Sequence, residues 1–343
     1  MKKFIFLPIL LLLSPSFILY ASEEPTSLII IRGTANSGKS TLCKTFNSLN
    51  NSYVLLSQDD IHRKECYKVW RGVFPEEMKL ICKIIPHENL WQAIKYGVCI
   101  FPNNTEKEKE QSTQSAINTI NKYFDHNSTK QKNALKDLVK QKVMHKLLFH
   151  AAQRHNVIFD SWGVTNWDYE LNKLKNYFDR LIGVVTYCSL KTVKQRWNHR
   201  NTCARETNNY TEARTMTQMA QSFFSFLQSN DSESRENTSL VVTKQDFDTL
   251  IQEMSQYISD NSAPNTQQKN SFFSIREFTA KEVSEFKNRI YEEYHFDKQE
   301  QTILKPSIPY DILLCTEGGH NKYTKELLQK ISKLSTSAAN DSY

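Results

Sequence analysis

Residues 28–41 read LIIIRGTANSGKST, and this stretch decides the fold class. Leu28–Ile31 is an unbroken apolar run, which is typical of a strand buried on both faces of a parallel sheet. The run ends at Gly33, and Gly33–Thr41 fits the pattern G-x-x-x-x-G-K-[ST] ahead of a helix candidate. Glycines let such a loop bend until its backbone N–H groups surround a phosphate, and the helix N-terminus adds favourable partial charge. We therefore predict a phosphate-binding loop between the first strand and the first helix.

Two side chains of this loop have direct roles in binding a nucleoside triphosphate. The ammonium of Lys39 would neutralise the β- and γ-phosphates, and the hydroxyl of Ser40 would bind Mg²⁺. Asp160 is a second metal candidate, because it ends the apolar run Val157–Phe159 and would hold Mg²⁺ through water. A buried aspartate that caps a helix is the alternative for that residue. The predicted nucleotide-binding residues are Gly33, Ser37, Gly38, Lys39, Ser40 and Thr41.

Further apolar runs recur along the chain, each as short as a buried strand; they lie at 53–56, 157–159, 181–187 and 312–315. Helical patterns separate them. An apolar residue recurs every four positions from Leu135 to Ala151, a second helical stripe follows Thr243, and Thr279 with Glu282 forms a capping box ahead of a third. This alternation predicts an α/β fold with a mostly parallel sheet. Together with the phosphate loop it indicates the three-layer sandwich of P-loop NTPases, carrying a polar insertion and a helical C-terminal extension.

Polar stretches interrupt the alternation and set the predicted domain organisation. Residues from about 102 to 133 are rich in Lys, Glu, Gln and Asn and predict a surface insertion. Residues 228–239 and about 259–271 are typical of solvated loops or a linker. We therefore predict one P-loop domain over 22–343, behind a separate N-terminal segment at 1–21.

The composition excludes several classes of protein. With 39% hydrophobic and 24% charged residues, 8 Gly and 9 Pro in 343 residues, the chain is neither collagen-like nor wholly disordered. The net charge of +7 suits phosphate-bearing ligands. Nucleic-acid binding would need that charge clustered on one face, and the charge balance alone does not predict this.

The N-terminal segment indicates export. Residues 1–21 read MKKFIFLPILLLLSPSFILYA, in which two lysines precede an apolar run that ends at the small residue Ala21, the pattern of a signal peptide. Cleavage after Ala21 would put Leu19 at the −3 position, where a small residue is preferred, so an uncleaved membrane anchor is the alternative. The seven cysteines are odd in number and dispersed, and they predict no disulfide framework. We expect a periplasmic or secreted protein, although reduced thiols and an export route are in tension.

An acidic pair follows the run at 53–56. The residues Asp59 and Asp60, with Arg63 close behind, stand just past the carboxyl end of a strand, where ligands bind in open α/β sheets. An aspartate there would take the proton of a phosphoryl acceptor. An acidic helix N-cap is the alternative for either aspartate.

An arginine pair follows the run at 181–187. Arg196 and Arg200 are four residues apart, which places both guanidiniums on one helix face. There they would stabilise charge spread over a transferring phosphoryl group. A solvated helix face is the simpler alternative for such a pair.

In combination, the phosphate loop, the acidic pair and the arginine pair resemble the P-loop kinases of the chloramphenicol phosphotransferase, zeta-toxin and polynucleotide 5′-kinase group. Gln58–Arg63 looks most like the Asp-Asp signature of polynucleotide 5′-kinases, and the arginine pair is similar to their lid arginines. The resemblance covers roughly residues 28–72 and 135–200. It implies transfer of the γ-phosphoryl of ATP to a hydroxyl, with ATP and Mg²⁺ as cofactors. By this resemblance, Asp59 is the general base, Asp60 is a supporting carboxylate and Arg63 lies nearby on the substrate side. Arg196 and Arg200 are implied to form the lid clamp on the phosphoryl group. Because the insertion and the C-terminal region depart from the family, the acceptor stays open.

A GTPase-type nucleotide switch is the alternative function. Asp160–Gly163 matches D-x-x-G, and Thr243–Asp246 matches the guanine signature T-K-x-D. Two observations argue against this alternative. The gap from Gly33 to Asp160 is longer than a compact switch GTPase needs. Thr243 and Asp246 also match the N-cap and N3 residues at the start of an amphipathic helix. The alternative leaves the acidic and arginine pairs unexplained, so we prefer the kinase. A nucleotide-binding module without turnover is a third hypothesis.

Overall fold

The computed structural model describes residues 25–96, 101, 105–126, 128–161, 172–207, 215–229, 240–262, 278–294, 296 and 300–340. The predicted signal segment 1–21 and Gly163 of the D-x-x-G match lie outside these residues, as does most of the predicted linker at about 259–271. Within the described part of the chain, no helix combines the length and the apolar character needed to cross a membrane.

The strands form two sheets of different kinds. They are β1 (Ser27–Gly33), β2 (Tyr53–Ser57), β3 (Asn156–Asp160), β4 (Arg180–Tyr187), β5 (Leu227–Ser229), β6 (Leu240–Thr243), β7 (Gln301–Pro306) and β8 (Ile312–Cys315). The first sheet has the order β2-β3-β1-β4-β8 with parallel pairs throughout, and the second has the order β5-β7-β6 with antiparallel pairs. All five apolar runs that predicted strands lie in the first sheet, so the α/β fold class is confirmed.

The helices connect and cover these strands. They are α1 (Lys39–Leu49), α2 (Gln58–Val73), α3 (Pro75–Ile84), α4 (His87–Tyr96), α5 (Lys107–His126), α6 (Ser128–Ala152), α7 (Leu190–Thr207), α8 (Met216–Phe226), α9 (Lys244–Ser262), α10 (Ala280–Glu293) and α11 (His320–Asn340). The predicted capping box is present, because the Thr279 side chain accepts from the N–H of Glu282 and the Glu282 side chain accepts from the N–H of Thr279 at the start of α10.

The first sheet is buried on both faces. All seven residues of β1 are buried, because α6 packs on one face while α1 and α11 pack on the other. The predicted apolar stripe of α6 supplies Val139, Val143 and Leu147 to this contact. A strand covered on both faces needs apolar residues at every position, which explains the unbroken run Leu28–Ile31.

The carboxyl ends of the parallel strands meet at one edge of the first sheet. Asp160 of β3 is level with Ile31 of β1 and with Ser57 of β2. On the other side of β1, Gly33 is level with Thr186 of β4. The phosphate loop, the acidic pair and Asp160 therefore start from neighbouring positions along this edge.

The polar insertion at about 102–133 contains α5 and the start of α6. Ile117 and Ile120 of α5 are almost fully buried, in a cluster that also holds Trp70 of α2 and Trp91 of α4. These two residues thus lie on the packed face of an amphipathic helix whose other faces are largely polar. The insertion helps to build a helical unit around α2, directly behind the acidic pair.

The C-terminal extension contains helices, as predicted, and also the antiparallel sheet, which the sequence did not predict. Helices α8, α9 and α10 pack with this sheet around an aromatic cluster. The rings of Phe224 and Phe247 meet edge-on with centroids 5.5 Å apart, and those of Phe224 and Tyr294 do so at 5.6 Å. Val185 and Leu313 of the first sheet belong to the same cluster, so the two sheets share a continuous core.

We predict that the aromatic cluster carries a large part of the stability of the C-terminal region. Phe247 is fully buried, so Phe247→Ala should lower the free energy of unfolding by about 3–5 kcal/mol through lost burial and a residual cavity. The control is Phe149→Ala, because the Phe149 side chain is 55% exposed on α6 and should change stability little. Chemical denaturation followed by circular dichroism measures both, and equal losses would contradict the prediction.

Candidate active site

Two glycines shape the phosphate loop. Gly33 has a φ of 153°, and a Cβ built there would lie 2.3 Å from Oγ1 and 2.4 Å from the carbonyl oxygen of Thr186. Strand β1 therefore approaches β4 too closely for any side chain. Gly38 has a φ of 92° and is the N-cap of α1 in the left-handed conformation. The chain turns from strand to helix as the motif predicts, with the N-terminus of α1 at the loop.

Side chains from two other elements fasten the loop. The hydroxyls of Ser37 and Thr186 are hydrogen-bonded at 2.8 Å, and Thr186 also donates to the carbonyl oxygen of Arg32 at 3.1 Å. The backbone N–H of Ala35 donates to the hydroxyl of Ser222 on α8 at 2.7 Å. Neither Thr186 nor Ser222 belongs to the sequence motif, so motif reasoning missed both residues.

The interior of the loop holds polar groups suited to a ligand. The Lys39 ammonium donates to the carbonyl oxygens of Gly33 and Thr34, each at 2.9 Å. The hydroxyl of Thr34 and both polar atoms of the Asn36 amide are buried without a hydrogen-bond partner. Leaving such atoms unpaired is costly, so native proteins rarely do it without a reason. A ligand rich in oxygen acceptors, such as a nucleoside triphosphate, would satisfy the donors among them.

Four of the predicted site residues share one electrostatic neighbourhood. Burial lowers the pKa of the Lys39 ammonium, while the carboxylates of Asp160 and Asp59 act in the opposite direction. The guanidinium of Arg200 adds to the lowering of this pKa. Since charges influence one another in this way only over short distances, the start of α2, the end of β3, α7 and the phosphate loop lie near one another.

The acidic pair lies in the first turn of α2 and does not cap it. The N-cap is Ser57, whose hydroxyl accepts from the N–H of Asp60 at 3.3 Å. Asp60 is exposed and pairs with Arg63 at 3.0 Å, whereas Asp59 is half-buried and influences Lys39. Gln58 accepts from the hydroxyl of Ser161 at 3.0 Å, which ties the start of α2 to the end of β3. This geometry favours Asp59 over Asp60 as the residue that faces the loop.

The two arginines of α7 occupy different surroundings. Arg196 donates to the carbonyl oxygen of Asn36 at 3.3 Å and to the hydroxyl of Thr316 at 3.2 Å, and it also donates to the carbonyl oxygen of Thr316. Arg200 lies one turn further on and acts on Lys39. The structure therefore places Arg196 against the loop at Asn36 and Arg200 near the loop's lysine.

A cleft of about 430 Å³ lies beside α2, next to the acidic pair. Trp91 of α4 and Tyr67 of α2 form its wall, with ring centroids 6.2 Å apart. Its rim carries two cations and two carboxylates, from Arg63, Lys64, Asp60 and Glu88. The cleft has no signature in the sequence, because its aromatic residues come from helices that the polar insertion holds together.

The T-K-x-D match is a helix start in the second sheet. Its strand, β6, pairs only with β7 in the described residues and does not border the phosphate loop. The Asp246 carboxylate accepts from the hydroxyl of Thr243 at 2.7 Å and from its N–H at 3.2 Å. In return, the Thr243 hydroxyl accepts from the N–H of Asp246 at 3.0 Å. These bonds explain both residues without a guanine base.

Together, the parallel strand order, the glycine loop and the helix that begins at Gly38 define a P-loop α/β nucleotide-binding fold. No protein-family model matches the chain. No curated protein matches it either.

Several solved structures are similar to this chain at low identity. A candidate kinase from Chloroflexus aurantiacus is 12% identical with a TM-score of 0.30, over 58% of this chain and 78% of that one. The dephospho-CoA kinase from Campylobacter jejuni is 12% identical with a TM-score of 0.25, over 55% and 86%. A chain of the Pnkp1/Rnl/Hen1 RNA repair complex is 13% identical with a TM-score of 0.28, over 89% and 85%. The fold assignment rests on the strand order and loop geometry of this chain itself.

We predict that Gly33→Ala weakens nucleotide binding at least about tenfold, because the new Cβ must push the loop away from Thr186 at a strain of roughly 1–3 kcal/mol. Gly72→Ala is the matched control, since Gly72 lies near the end of α2 with no atom within 4 Å of a built Cβ. Calorimetric titration with MgATP measures both variants. Wild-type affinity in Gly33→Ala would show that the close approach does not shape the site.

We also predict that Asp246→Asn leaves the ratio of ATP to GTP affinity unchanged, because Asp246 is bonded to Thr243 at a helix start. The lost charge near the helix N-terminus should lower the free energy of unfolding by less than about 1 kcal/mol. Competition binding with ATP and GTP on both proteins measures the ratio. A GTP preference that disappears in the variant would restore the GTPase alternative.

Proposed function

We propose that this protein is an ATP-dependent kinase that transfers the γ-phosphoryl group to a hydroxyl of an acceptor. The observation that carries the proposal is the electrostatic neighbourhood of Lys39, which contains Asp59, Asp160 and Arg200. A lysine for the phosphates, a carboxylate for the acceptor proton, a carboxylate for a metal and a guanidinium for developing charge are the parts that phosphoryl transfer needs.

Each part has a stated role in the proposed reaction. The acceptor oxygen forms a bond to the γ-phosphorus while the bond to the β–γ bridging oxygen breaks and ADP leaves. Asp59 takes the proton of the acceptor hydroxyl as this bond forms. Lys39 and Arg200 stabilise the charge on the transferring group, and the backbone N–H groups of the loop hold the phosphates.

The site residues also fit a magnesium ion. Ser40 is exposed in the first turn of α1, Asp160 ends β3, and both offer the oxygen ligands that Mg²⁺ prefers. The described residues contain no group of three or more His, Cys, Asp or Glu arranged for a metal. Phosphate oxygens and water would supply the other ligands, as is usual for this ion. Bound there, Mg²⁺ would neutralise charge on the β- and γ-phosphates.

The cleft beside α2 is the proposed acceptor site. Asp60 and Arg63 line it, and Asp59 precedes Asp60 in the first turn of α2, so the cleft opens beside the helix end that carries the proposed base. Two carboxylates balance the two cations of the rim. This balance favours an acceptor without a dense negative charge, and a nucleic acid stays unsupported as a partner.

The proposal includes export by the segment 1–21, with cleavage near Ala21 or retention as an anchor. The described cysteines Cys43, Cys66, Cys82, Cys188, Cys203 and Cys315 are free thiols. An exported kinase also needs ATP. We therefore place its activity in a compartment that supplies ATP and keeps thiols reduced.

Two variants test the proposed chemistry. Lys39→Ala should abolish phosphoryl transfer and weaken MgATP binding, because its ammonium acts on phosphate. Asp59→Asn keeps the size of the side chain but removes the base, so kcat should fall by about 10²- to 10⁴-fold while ATP affinity changes little. The acceptor is found by mass spectrometry of hydroxyl-compound mixtures incubated with γ-labelled ATP, and its phosphorylation gives kcat.

The control for Asp59→Asn is Asp137→Asn, because Asp137 is exposed on α6 far along the chain from the loop. It should keep the wild-type kcat. Near wild-type transfer by Asp59→Asn would remove Asp59 from the mechanism. Binding of MgATP with no transfer to any acceptor would instead favour a nucleotide-binding module without turnover.

A further inference from the structure

The guanidinium of Arg196 donates hydrogen bonds to oxygen atoms of the protein itself. Both of its terminal nitrogens donate, one to Asn36 and the Thr316 hydroxyl and the other to the Thr316 carbonyl oxygen. A Cβ built at Gly38 would lie 3.2 Å from Nη1 of Arg196, so the guanidinium rests against the start of α1. An arginine that binds phosphate through its fork needs those same donors free. Arg196 therefore fits a joint between α7 and the loop better than a phosphate clamp.

Thr316, the first residue after β8, is the other half of this joint. Its side chain is fully buried, and its hydroxyl lies 2.5 Å from the carbonyl oxygen of Ser37 and 3.1 Å from that of Tyr187, both of which are acceptors. Its backbone N–H donates to the same Tyr187 oxygen at 2.9 Å. Thr316 thus connects β8, β4 and the phosphate loop, and it is the acceptor for Arg196.

Glu317 fixes the beginning of α7. One carboxylate oxygen accepts from the N–H of Ser189 and the other from the hydroxyl of Thr192, each at 2.6 Å. Burial would raise the pKa of Glu317, but these hydrogen bonds and the charge of Arg196 hold it below its usual value. The carboxylate is therefore ionised where it meets the first turn of α7, which favours negative charge.

These contacts determine the position of Arg200. Helix α7 is held at Ser189 by Glu317 and at Arg196 by Thr316, one turn before Arg200 on the same helix face. Four residues of helix span about 6 Å, so a small shift at Arg196 carries directly to Arg200. The charge of Arg200 acts on Lys39.

We propose that Arg196, Thr316 and Glu317 form a latch that fixes α7 to the phosphate loop. In this latch Arg196 is a positioning residue that helps to fix Arg200 one turn further along α7. This inference rests on the proposed kinase function, and it departs from the shared clamp that the family resemblance implies.

A double-mutant cycle with Thr316→Val and Arg196→Gln tests the latch. Each single variant should lower kcat about 10- to 100-fold through misplacement of Arg200, with KM for ATP changed less than threefold. Because Arg196 acts through Thr316, the double variant should be no slower than the worse single one. Thr316→Ser, which keeps the hydroxyl, should retain most of the wild-type kcat.

The matched control is Thr324→Val. Thr324 is also fully buried, but its hydroxyl donates to the His320 carbonyl oxygen at 2.8 Å within its own helix α11, so its loss should leave kcat within twofold. If the reductions in kcat from Arg196→Gln and Thr316→Val multiplied in the double variant, the latch would be overturned. Arg196 would then act on the substrate independently of Thr316. Wild-type kcat in Thr316→Val would overturn it as well.

A second measurement separates the latch from the kinase proposal. In the nucleotide-free protein, Thr316→Val and Glu317→Gln should each speed amide hydrogen exchange over residues 189–200, while exchange in α9 stays as in the wild type. If the wild type transfers no phosphate but the exchange responds, the kinase proposal fails and the latch stands. Unchanged exchange over residues 189–200 in both variants would rule out the latch, whatever the activity.

Discussion

The architecture of the site depends on one close approach, between Gly33 and Thr186. There β1 and β4 leave no room for a Cβ, which would meet the Thr186 hydroxyl at 2.3 Å. The same hydroxyl bonds to Ser37 and to the carbonyl oxygen of Arg32, so it sets the turn of the phosphate loop. Because that turn decides where the backbone N–H groups of the loop point, a strand contact at the carboxyl edge of the sheet determines the anion site.

The parallel sheet collects the charges of the site. Neighbouring strands end together, so residues far apart in the chain reach one edge: Asp59 follows β2, Asp160 ends β3, and Arg200 lies on the helix after β4. Each of them influences Lys39, whose burial lowers its pKa. In water these charges would be screened, but around a partly buried lysine they act strongly on one another. The order of strands, more than any single motif, makes this cluster.

The sequence predicts the first sheet well because each of its strands is buried and therefore uniformly apolar. It fails for the second sheet, where β5 has only three residues and Val241 of β6 is 49% exposed, so no run stands out. Thr243 and Asp246 show a different limit, since a guanine signature and a helix start use the same residue types. Helical spacing likewise puts Arg196 and Arg200 on one face, but only the fold reveals that Thr316 engages the first of them.

The loop also depends on the end of the chain. Thr316 reaches Ser37 across 279 positions, and Ser222 reaches Ala35 across 187. Contacts of such sequence separation form only when the sheet is assembled, so the loop takes its shape from the complete fold. The carboxylates of Asp160 and Asp59 outweigh the repulsion between Lys39 and Arg200 within this fold, and burial is the main cause of the lowered pKa of the lysine. Phosphate groups would add negative charge beside both cations, so nucleotide binding should stabilise the contacts between the loop, α7 and β8.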